Sequence, residues 1–187
     1  MHELELSQMK ITVGSDLHKA FHEAGHIVVG ILTSATVTAA LIDADGNCLT
    51  SITHKPDLST KKPIACGGYA AECLLFQSSV LLDSRGVTLS KDAFELQAME
   101  NARLDKFPYY LTKPADASGI FPDTLFQPNK DKSWPPDSDG AFCEYAMKEI
   151  FPLLTAHRDA IETLISELER ERTLSGEDIL EIWRNMS

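Results

Sequence analysis

Two histidines and a glutamate near the N-terminus have the types and the spacing of a metal-dependent hydrolase site. His22, Glu23 and His26 form an H-E-x-x-H motif. If the segment is helical, both imidazoles project from one face, about 5–6 Å apart at Cβ, and can bind one metal ion. The Glu23 carboxylate then lies beside the open position of the metal, where it can take a proton from water. The motif predicts a metal centre with Glu23 as general base.

The residues around the motif have the pattern of an amphipathic helix. An apolar stripe beside the histidines is formed by residues at three- and four-residue steps, namely Leu17, Phe21, Ala24, Val28 and Ile31. Ser15 or Asp16 is a suitable N-cap, and we expect the helix to reach about Leu32. The alternative is a core helix with two hydrogen-bonded histidines, which would need partners that an apolar stripe does not supply.

The third ligand must come from elsewhere in the chain, because a catalytic zinc ion takes three protein ligands and leaves a fourth position for water. Leu32 stands six residues after His26, which excludes the metzincin spacing. Glu72 and Asp92 are the two candidates, since each lies on a predicted helix whose same face is otherwise apolar. Asp92 would lie in a first helical turn, where the backbone dipole stabilises a carboxylate. His18, one turn before the motif, is more typical of an exposed histidine than of a ligand.

The rest of the pattern predicts an α+β fold that is predominantly α-helical, with the motif helix, a small β-hairpin or sheet and a C-terminal helical bundle. Residues 36–42 and 48–54 favour strands and flank a turn, which predicts a hairpin. Zinc peptidases commonly bind an extended substrate at an exposed strand edge, although a hairpin that only packs on helices is equally consistent. Helices are predicted over residues 64–76, 91–104 and 141–172, the last of them kinked or split by Pro152, and from Ser175 onward through a capping-box-like start.

A Pro-rich stretch interrupts this pattern. Residues 107–140 hold six of the nine prolines together with several aromatic residues. A loop of this length inside a compact domain is usually functional or disordered, so it either covers the active-site cleft or packs as a structural loop. We interpret the 187 residues as a single domain, 1–187, with 107–140 as an insertion.

Composition limits the partners. The net charge of −11 and the absence of a basic run argue against nucleic acid and against an anionic membrane surface. No signal peptide or membrane-spanning run is evident, so we expect a cytoplasmic protein. The four cysteines have no metal-site spacing and are expected to be reduced. No phosphate-binding loop is present, so the chain is expected to have no ATPase activity of its own.

Further stretches extend the motif into a recognisable pattern. Residues 21–26 read Phe-His-Glu-Ala-Gly-His, residues 67–72 read Gly-Gly-Tyr-Ala-Ala-Glu, and residues 90–92 read Ser-Lys-Asp. They resemble the Tyr-His-Glu-Ala-Gly-His, Gly-Gly-Arg-x-Ala-Glu-Glu and Ser-Asn-Asp segments of the peptidase domain of FtsH-type, AAA-linked zinc metalloproteases. Residues 153–177 are similar to the closing helices of that family. The resemblance covers residues 15–105 and 141–185, with Tyr69 and Cys73 as departures from the family pattern.

The resemblance implies a zinc site formed by His22, His26 and Asp92, with Glu23 as general base. It implies a zinc-dependent endopeptidase that hydrolyses peptides or unstructured polypeptides, independent of ATP by itself because the ATPase module and the membrane helices of the family are absent. A separate ATPase partner and a homo-oligomer are both compatible with it. Two rival interpretations are a catalytically silent zinc-binding adaptor domain and a metal hydrolase acting on a non-peptide amide. The intact Glu23 argues against the first, because a structural zinc site needs no general base.

Overall fold

The fold is α+β and mostly helical, which confirms the predicted fold class. It is known from a computed structural model, which describes residues 9–54, 59–106, 109 and 138–186. The predicted insertion at 107–140 lies almost wholly outside the described residues. The elements in chain order are β1 (Ile11–Thr12), α1 (Asp16–Leu32), β2 (Thr36–Ile42), β3 (Cys48–Thr53), α2 (Lys61–Ala65), α3 (Gly67–Gln77), β4 (Leu81–Leu82), α4 (Lys91–Asn101), α5 (Ser138–Tyr145), a π-helical turn (Ala146–Ile150), α6 (Phe151–Ala156), α7 (Arg158–Glu171), β5 (Thr173–Ser175) and α8 (Gly176–Met186).

The motif helix α1 lies at the centre of the core. It begins as predicted at Ser15, whose hydroxyl accepts a hydrogen bond from the His18 backbone N–H at 3.2 Å. It ends as predicted at Leu32. Helices α3 and α7 and both strands of the hairpin pack around it, so most of its residues between His18 and Gly30 are buried. The histidine face is therefore held by contacts on several sides.

The predicted hairpin is confirmed and belongs to a three-stranded antiparallel sheet in the order β3-β2-β5. Its turn is closed by Asp43, whose Oδ1 accepts hydrogen bonds from the backbone N–H groups of Asp45 and Asn47 at 2.9 and 2.8 Å. Gly46 takes the left-handed conformation that this turn requires, with φ of +75°. Among the described residues β3 pairs on one side only, so it forms an edge of the sheet.

Helices α1 and α3 cross at two glycines. A Cβ on Gly25 would overlap the backbone carbonyl of Gly67, and a Cβ on Gly67 would overlap the backbone of Gly25. Ala71 lies against the same contact. The small residues at this crossing therefore permit a close helix approach, and they bring the residues of α3 directly behind the motif.

The C-terminal helices differ from the continuous pattern in the sequence. Instead of a kink centred on Pro152, a π-helical turn at Ala146–Ile150 precedes the proline, and the chain divides at His157 between α6 and α7. Proline has no N–H to donate to the preceding turn, and a π-helical turn accommodates that loss within a helix. The capping box at the start of α8 is as predicted: Ser175 N–H donates to the Asp178 carboxylate at 2.8 Å, and Asp178 N–H donates to the Ser175 hydroxyl at 3.2 Å.

Two short strands were not predicted. β1 and β4 pair in parallel, Ile11 with Leu81 and Thr12 with Leu82. Their four residues lie in stretches that the sequence pattern assigns to a lead-in and a loop, because strands of two residues are too short to show an alternation. Across the part of the chain that the structure describes, no helix has the length and the apolar character needed to cross a membrane.

Candidate metal centre

His22, Glu23 and His26 lie together on one face of α1. Each offers a ligand atom, and these atoms lie within 4.8 Å of one another. The two imidazole rings stand edge to face, with centroids 4.9 Å apart. A helix places residues four apart on one face, so this geometry follows from the motif spacing. The group could hold a metal ion.

Both histidines are oriented through Nδ1. His22 Nδ1 donates to Glu72 Oε1 at 2.7 Å, and His26 Nδ1 donates to the backbone carbonyl of Ile64 at 2.6 Å. A carboxylate and a carbonyl can only accept, so the Nδ1 proton of each ring is fixed by its partner. In the neutral imidazole the lone pair is then on Nε2, as a metal ligand requires.

Asp105 faces both Nε2 atoms. Its Oδ2 lies 3.0 Å from Nε2 of His22 and its Oδ1 lies 3.5 Å from Nε2 of His26. When both imidazoles are neutral, lone pairs of nitrogen and oxygen meet here, and either a proton or a metal ion between them makes the contact favourable. Two imidazoles and one carboxylate are a donor set that zinc accepts, and tetrahedral ligands at zinc distances stand about 3.3 Å apart. The residues present therefore fit a zinc ion.

The pKa shifts of His22, His26 and Asp105 indicate the same preference for positive charge at this site. Burial alone would lower the pKa of His22, but hydrogen bonds to Asp105 and Glu72 raise it well above 6.5. Burial likewise opposes protonation of His26, and attraction to Asp105 raises its pKa. For Asp105, burial would raise the pKa, but His26 and the hydrogen bond from His22 lower it far more. Protonation of the two imidazoles would supply this positive charge when no metal ion is bound.

The structure places Asp105, and not the predicted third ligand Asp92, beside the two histidines. Asp92 lies in the first turn of α4 and is exposed. The other end of that helix points at the site, because the Asn101 side chain donates to Glu72 at 3.0 Å. Nine residues separate Asp92 from Asn101, which is about 13.5 Å along a helix. Asp105 follows Asn101 by four residues and reaches the histidines.

Glu72, the other predicted candidate for the third ligand, lies behind His22. It is 1% exposed, accepts hydrogen bonds from His22 and Asn101, and lies 3.7 Å from Nε2 of His18. A carboxylate in that place fixes the tautomer of a ligand and raises its basicity. Glu72 therefore orients the site and does not face the space between the Nε2 atoms.

His18 is buried, so the prediction of an exposed histidine is wrong. It is 2% exposed, and its Nδ1 accepts from the backbone N–H of Gly14 at 3.4 Å. Nε2 then carries the proton and points toward Glu72. Burial lowers the pKa of His18, so at neutral pH it is an uncharged donor in the layer behind the site.

The absence of a side chain at Gly68 leaves room for the imidazole ring of His22. A Cβ at this position would overlap the His22 ring at Nε2, Cε1 and Cδ2. Gly68 lies in the first turn of α3, where α3 meets α1. The glycine pair at 67–68 therefore serves two purposes, since one member allows the helices to touch and the other accommodates the imidazole.

A cleft of about 240 Å³ opens beside the motif. Its walls come from α1, β3, the residue after β3, α2 and the residues after α4, and its lining is Glu23, His26, Leu49, Thr50, Ile52, His54, Ile64, Ala65 and Asp105. Glu23 belongs to the metal-ligand group and also lines this cleft. Strand β3 contributes Leu49, Thr50 and Ile52 to the lining, so the cleft borders a strand that is an edge of the sheet among the described residues.

A larger cavity, about 390 Å³, lies between α7, β5 and α8 and holds none of the motif residues. Its acidic side chains are mostly engaged: Glu167 and Glu171 pair with Arg170, and Asp178 caps α8. Size alone therefore does not mark the functional site in this molecule, whereas the side-chain chemistry of the smaller cleft does.

Sequence reasoning missed Asp105, Asn101 and His54. Asn101 and Asp105 are four residues apart, a spacing that places two side chains on one helical face, and this was the signal in the sequence that could have identified them. The apolar pattern of the predicted helix ends before these two residues. His54 was included only as the last residue of a predicted strand.

Comparison with known proteins adds no assignment. No family model matches the chain, and no curated protein matches it. The resemblance to FtsH-type peptidase domains therefore remains an interpretation of the short motifs. Function has to be argued from the geometry of the site.

Proposed function

We propose that this protein is a zinc-dependent peptidase of the FtsH type. The observation that carries the proposal is the meeting of His22 Nε2, His26 Nε2 and the Asp105 carboxylate, with both Nδ1 protons held elsewhere. With neutral imidazoles this set of lone pairs favours a cation, and the ligand types are those of catalytic zinc. The three residues would hold the ion.

Glu23 distinguishes a hydrolase from a zinc-stabilised binding domain. It lies next to a ligand in sequence, belongs to the same group as the histidines and lines the open cleft. A structural zinc site fills its four positions and gives no role to such a carboxylate. In the reaction Glu23 takes the proton of the attacking water and passes it to the leaving amine.

A bound zinc ion would supply a Lewis acid that polarises the scissile carbonyl and acidifies water. The chain supplies the remaining parts. Glu72 and the Ile64 carbonyl hold the ligand rings, and Asp105 adds the negative charge that favours a divalent cation. The cleft wall of Leu49, Ile52 and Ile64 offers apolar surface to a substrate side chain.

The edge of β3 supports a peptide in preference to a small amide. Its backbone N–H and C=O groups run along the cleft without a partner strand among the described residues. An extended polypeptide can pair with such an edge over several residues, whereas a small amide cannot. The proposed substrates are therefore peptides or unstructured polypeptide segments.

The deciding experiment is hydrolysis of casein and of a peptide library by the zinc-loaded protein, with Glu23→Gln as the matched variant. Glutamine keeps the size and the hydrogen bonding but is not a base. We expect zinc to stay bound while turnover falls by a factor of about 10² or more, the contribution of general base catalysis. Full activity of Glu23→Gln would remove Glu23 from the mechanism. Cleavage of small non-peptide amides, with no cleavage of any peptide, would favour the alternative of a metal hydrolase that acts on a non-peptide amide.

A further inference from the structure

The cleft contains a histidine that the proposed zinc chemistry does not use. His54 follows the last residue of β3 and lines the same cleft as Glu23, His26 and Asp105. Side chains of a strand alternate between its two faces, so Thr50, Ile52 and His54 share one face of β3, and all three line the cleft, as Leu49 does from the other face. Leu49, Ser51 and Thr53 are more exposed than these three. The placement of His54 therefore follows from the strand and not from a chance surface position.

One ring nitrogen of His54 is fixed and the other is available. Nδ1 lies 3.2 Å from the hydroxyl of Thr60, which is 1% exposed and N-terminal to α2. For Nε2, no hydrogen-bond partner occurs among residues 9–54, 59–106, 109 and 138–186. The contact with Thr60 limits rotation of the ring, so Nε2 is held in one direction at low entropic cost.

His54 is uncharged at neutral pH. Burial lowers its pKa, and the nearby positive charge of Lys61 lowers it further. A neutral imidazole can donate or accept at Nε2, according to the tautomer that Thr60 stabilises. It can therefore pair with either polar group of a peptide backbone.

The position of His54 relative to β3 indicates a role in substrate binding. Pairing of an extended chain with β3 ends where the strand ends, at Thr53. The next group along that wall which can bind a polypeptide is the side chain of His54. We propose that His54 is a substrate-binding residue whose Nε2 forms a hydrogen bond with the backbone of a peptide bound in the cleft, at the end of the β3 edge. This inference rests on the proposed peptidase function and names a residue that fixes the substrate register.

The test measures peptide binding separately from turnover. The zinc-loaded Glu23→Gln protein is titrated into a fluorescein-labelled hexapeptide of alanines around a Phe-Leu pair, and the Kd is read from anisotropy. Adding His54→Ala should raise the Kd about 3- to 10-fold, the usual effect of one neutral hydrogen bond. Thr53→Ala, on the exposed face of the same strand, is the matched control and should leave the Kd unchanged.

Two amide substitutions identify the atom. The glutamine amide nitrogen reaches the position of Nε2, whereas the asparagine amide nitrogen reaches that of Nδ1. We expect His54→Gln to restore binding to within about 2-fold, and His54→Asn to behave as His54→Ala. The reverse order would show that His54 only supports Thr60, and would overturn the inference. Zinc content and circular dichroism of each variant should match those of the parent.

The outcomes separate this inference from the proposed function. If the native protein hydrolyses peptides but His54→Ala leaves both Kd and KM unchanged, the inference fails and the peptidase stands. If the zinc-loaded native protein cleaves no peptide, while Glu23→Gln binds the labelled peptide in a His54-dependent manner, the peptidase fails and the binding role stands. Absence of measurable peptide binding by the zinc-loaded Glu23→Gln protein overturns the inference.

Discussion

At the scale of single residues, the site is defined by which ring nitrogens of His22 and His26 carry a proton. The Nδ1 protons of His22 and His26 are taken by Glu72 and by the Ile64 carbonyl, and the Nε2 atoms meet Asp105. Carboxylates are common near histidines, but here the backs of the rings are also occupied by acceptors. That combination distinguishes a site prepared for a metal cation from an ordinary histidine–aspartate pair.

The ligand assignment is directly testable with two aspartates. Asp105→Ala should weaken zinc binding by more than about 100-fold, because loss of a ligand exceeds the 10- to 100-fold effect of an outer partner. Asp92→Ala removes an exposed carboxylate on the far end of α4 and should leave the affinity unchanged. Competition with a chromophoric chelator measures both. Zinc loss in the Asp92 variant, with retention in the Asp105 variant, would restore the assignment implied by the family resemblance.

The raised pKa values of His22 and His26 predict how the stability of the chelator-treated protein depends on pH. A histidine whose pKa is raised on folding stabilises the fold fully below 6.5, and this contribution is lost as the pH rises through the raised value. The urea midpoint of the metal-free protein should therefore fall between pH 6 and pH 9. Zinc requires deprotonated imidazoles, so the zinc-loaded protein should gain stability relative to the metal-free protein over the same range.

The His22→Ala variant isolates this effect from the general repulsion of an acidic protein. Without His22 the metal-free protein should show a shallower fall of the midpoint with pH, since one of the two shifted groups is gone. Parallel curves for the variant and the parent would mean that the protons bound by this histidine do not contribute to folding.

At the scale of elements, the α1–α3 crossing determines whether His22 can occupy its place. Gly68→Ala adds a methyl group where the imidazole lies, so the ring or the helix must shift. We expect zinc affinity to fall about 10- to 100-fold, as when the support of a ligand is lost. Gly140→Ala, at a helical glycine with nothing within 4 Å of the added Cβ, is the control and should bind zinc normally. Equal affinities would show that the ring adapts without cost.

The elements that the sequence predicted are those with a local signal. Ser15, Ser90 and Ser175 each cap a helix through their own side chain, and the hairpin turn is closed by Asp43, so their chemistry is visible within a few residues. The parallel pair β1–β4 and the place of Asp105 depend on contacts between distant segments. Composition and periodicity carry no information about such contacts. The choice of Asp92 rested on its place in the first turn of a helix, which is a local property and does not say which carboxylate lies beside the histidines.

At the scale of the whole molecule, the net charge of −11 should affect which peptides reach the cleft fastest. An acidic protein attracts cationic chains and repels anionic ones over roughly the Debye length. Two peptides with the same apolar centre but flanked by three lysines or three glutamates should differ about 10-fold or more in kcat/KM at 10 mM salt, which corresponds to a screening length of about 30 Å. The difference should shrink at 0.5 M salt. A ratio independent of salt would assign the preference to contacts inside the cleft.

The sheet order β3-β2-β5 also has a consequence for biogenesis. The hairpin forms from residues 36–53, close in sequence, but β5 brings Ser175 to Ala39, so the last strand is recruited across more than a hundred intervening residues. Closure of so long a loop is entropically costly and makes this pairing slow. On a translating ribosome the helix of the motif, the hairpin and Asp105 all emerge before β5 is made. Under the proposed function, a nascent chain can therefore bind the metal ion while one edge of β2 is still open, and the ion would hold residues 22–105 together during the remaining synthesis.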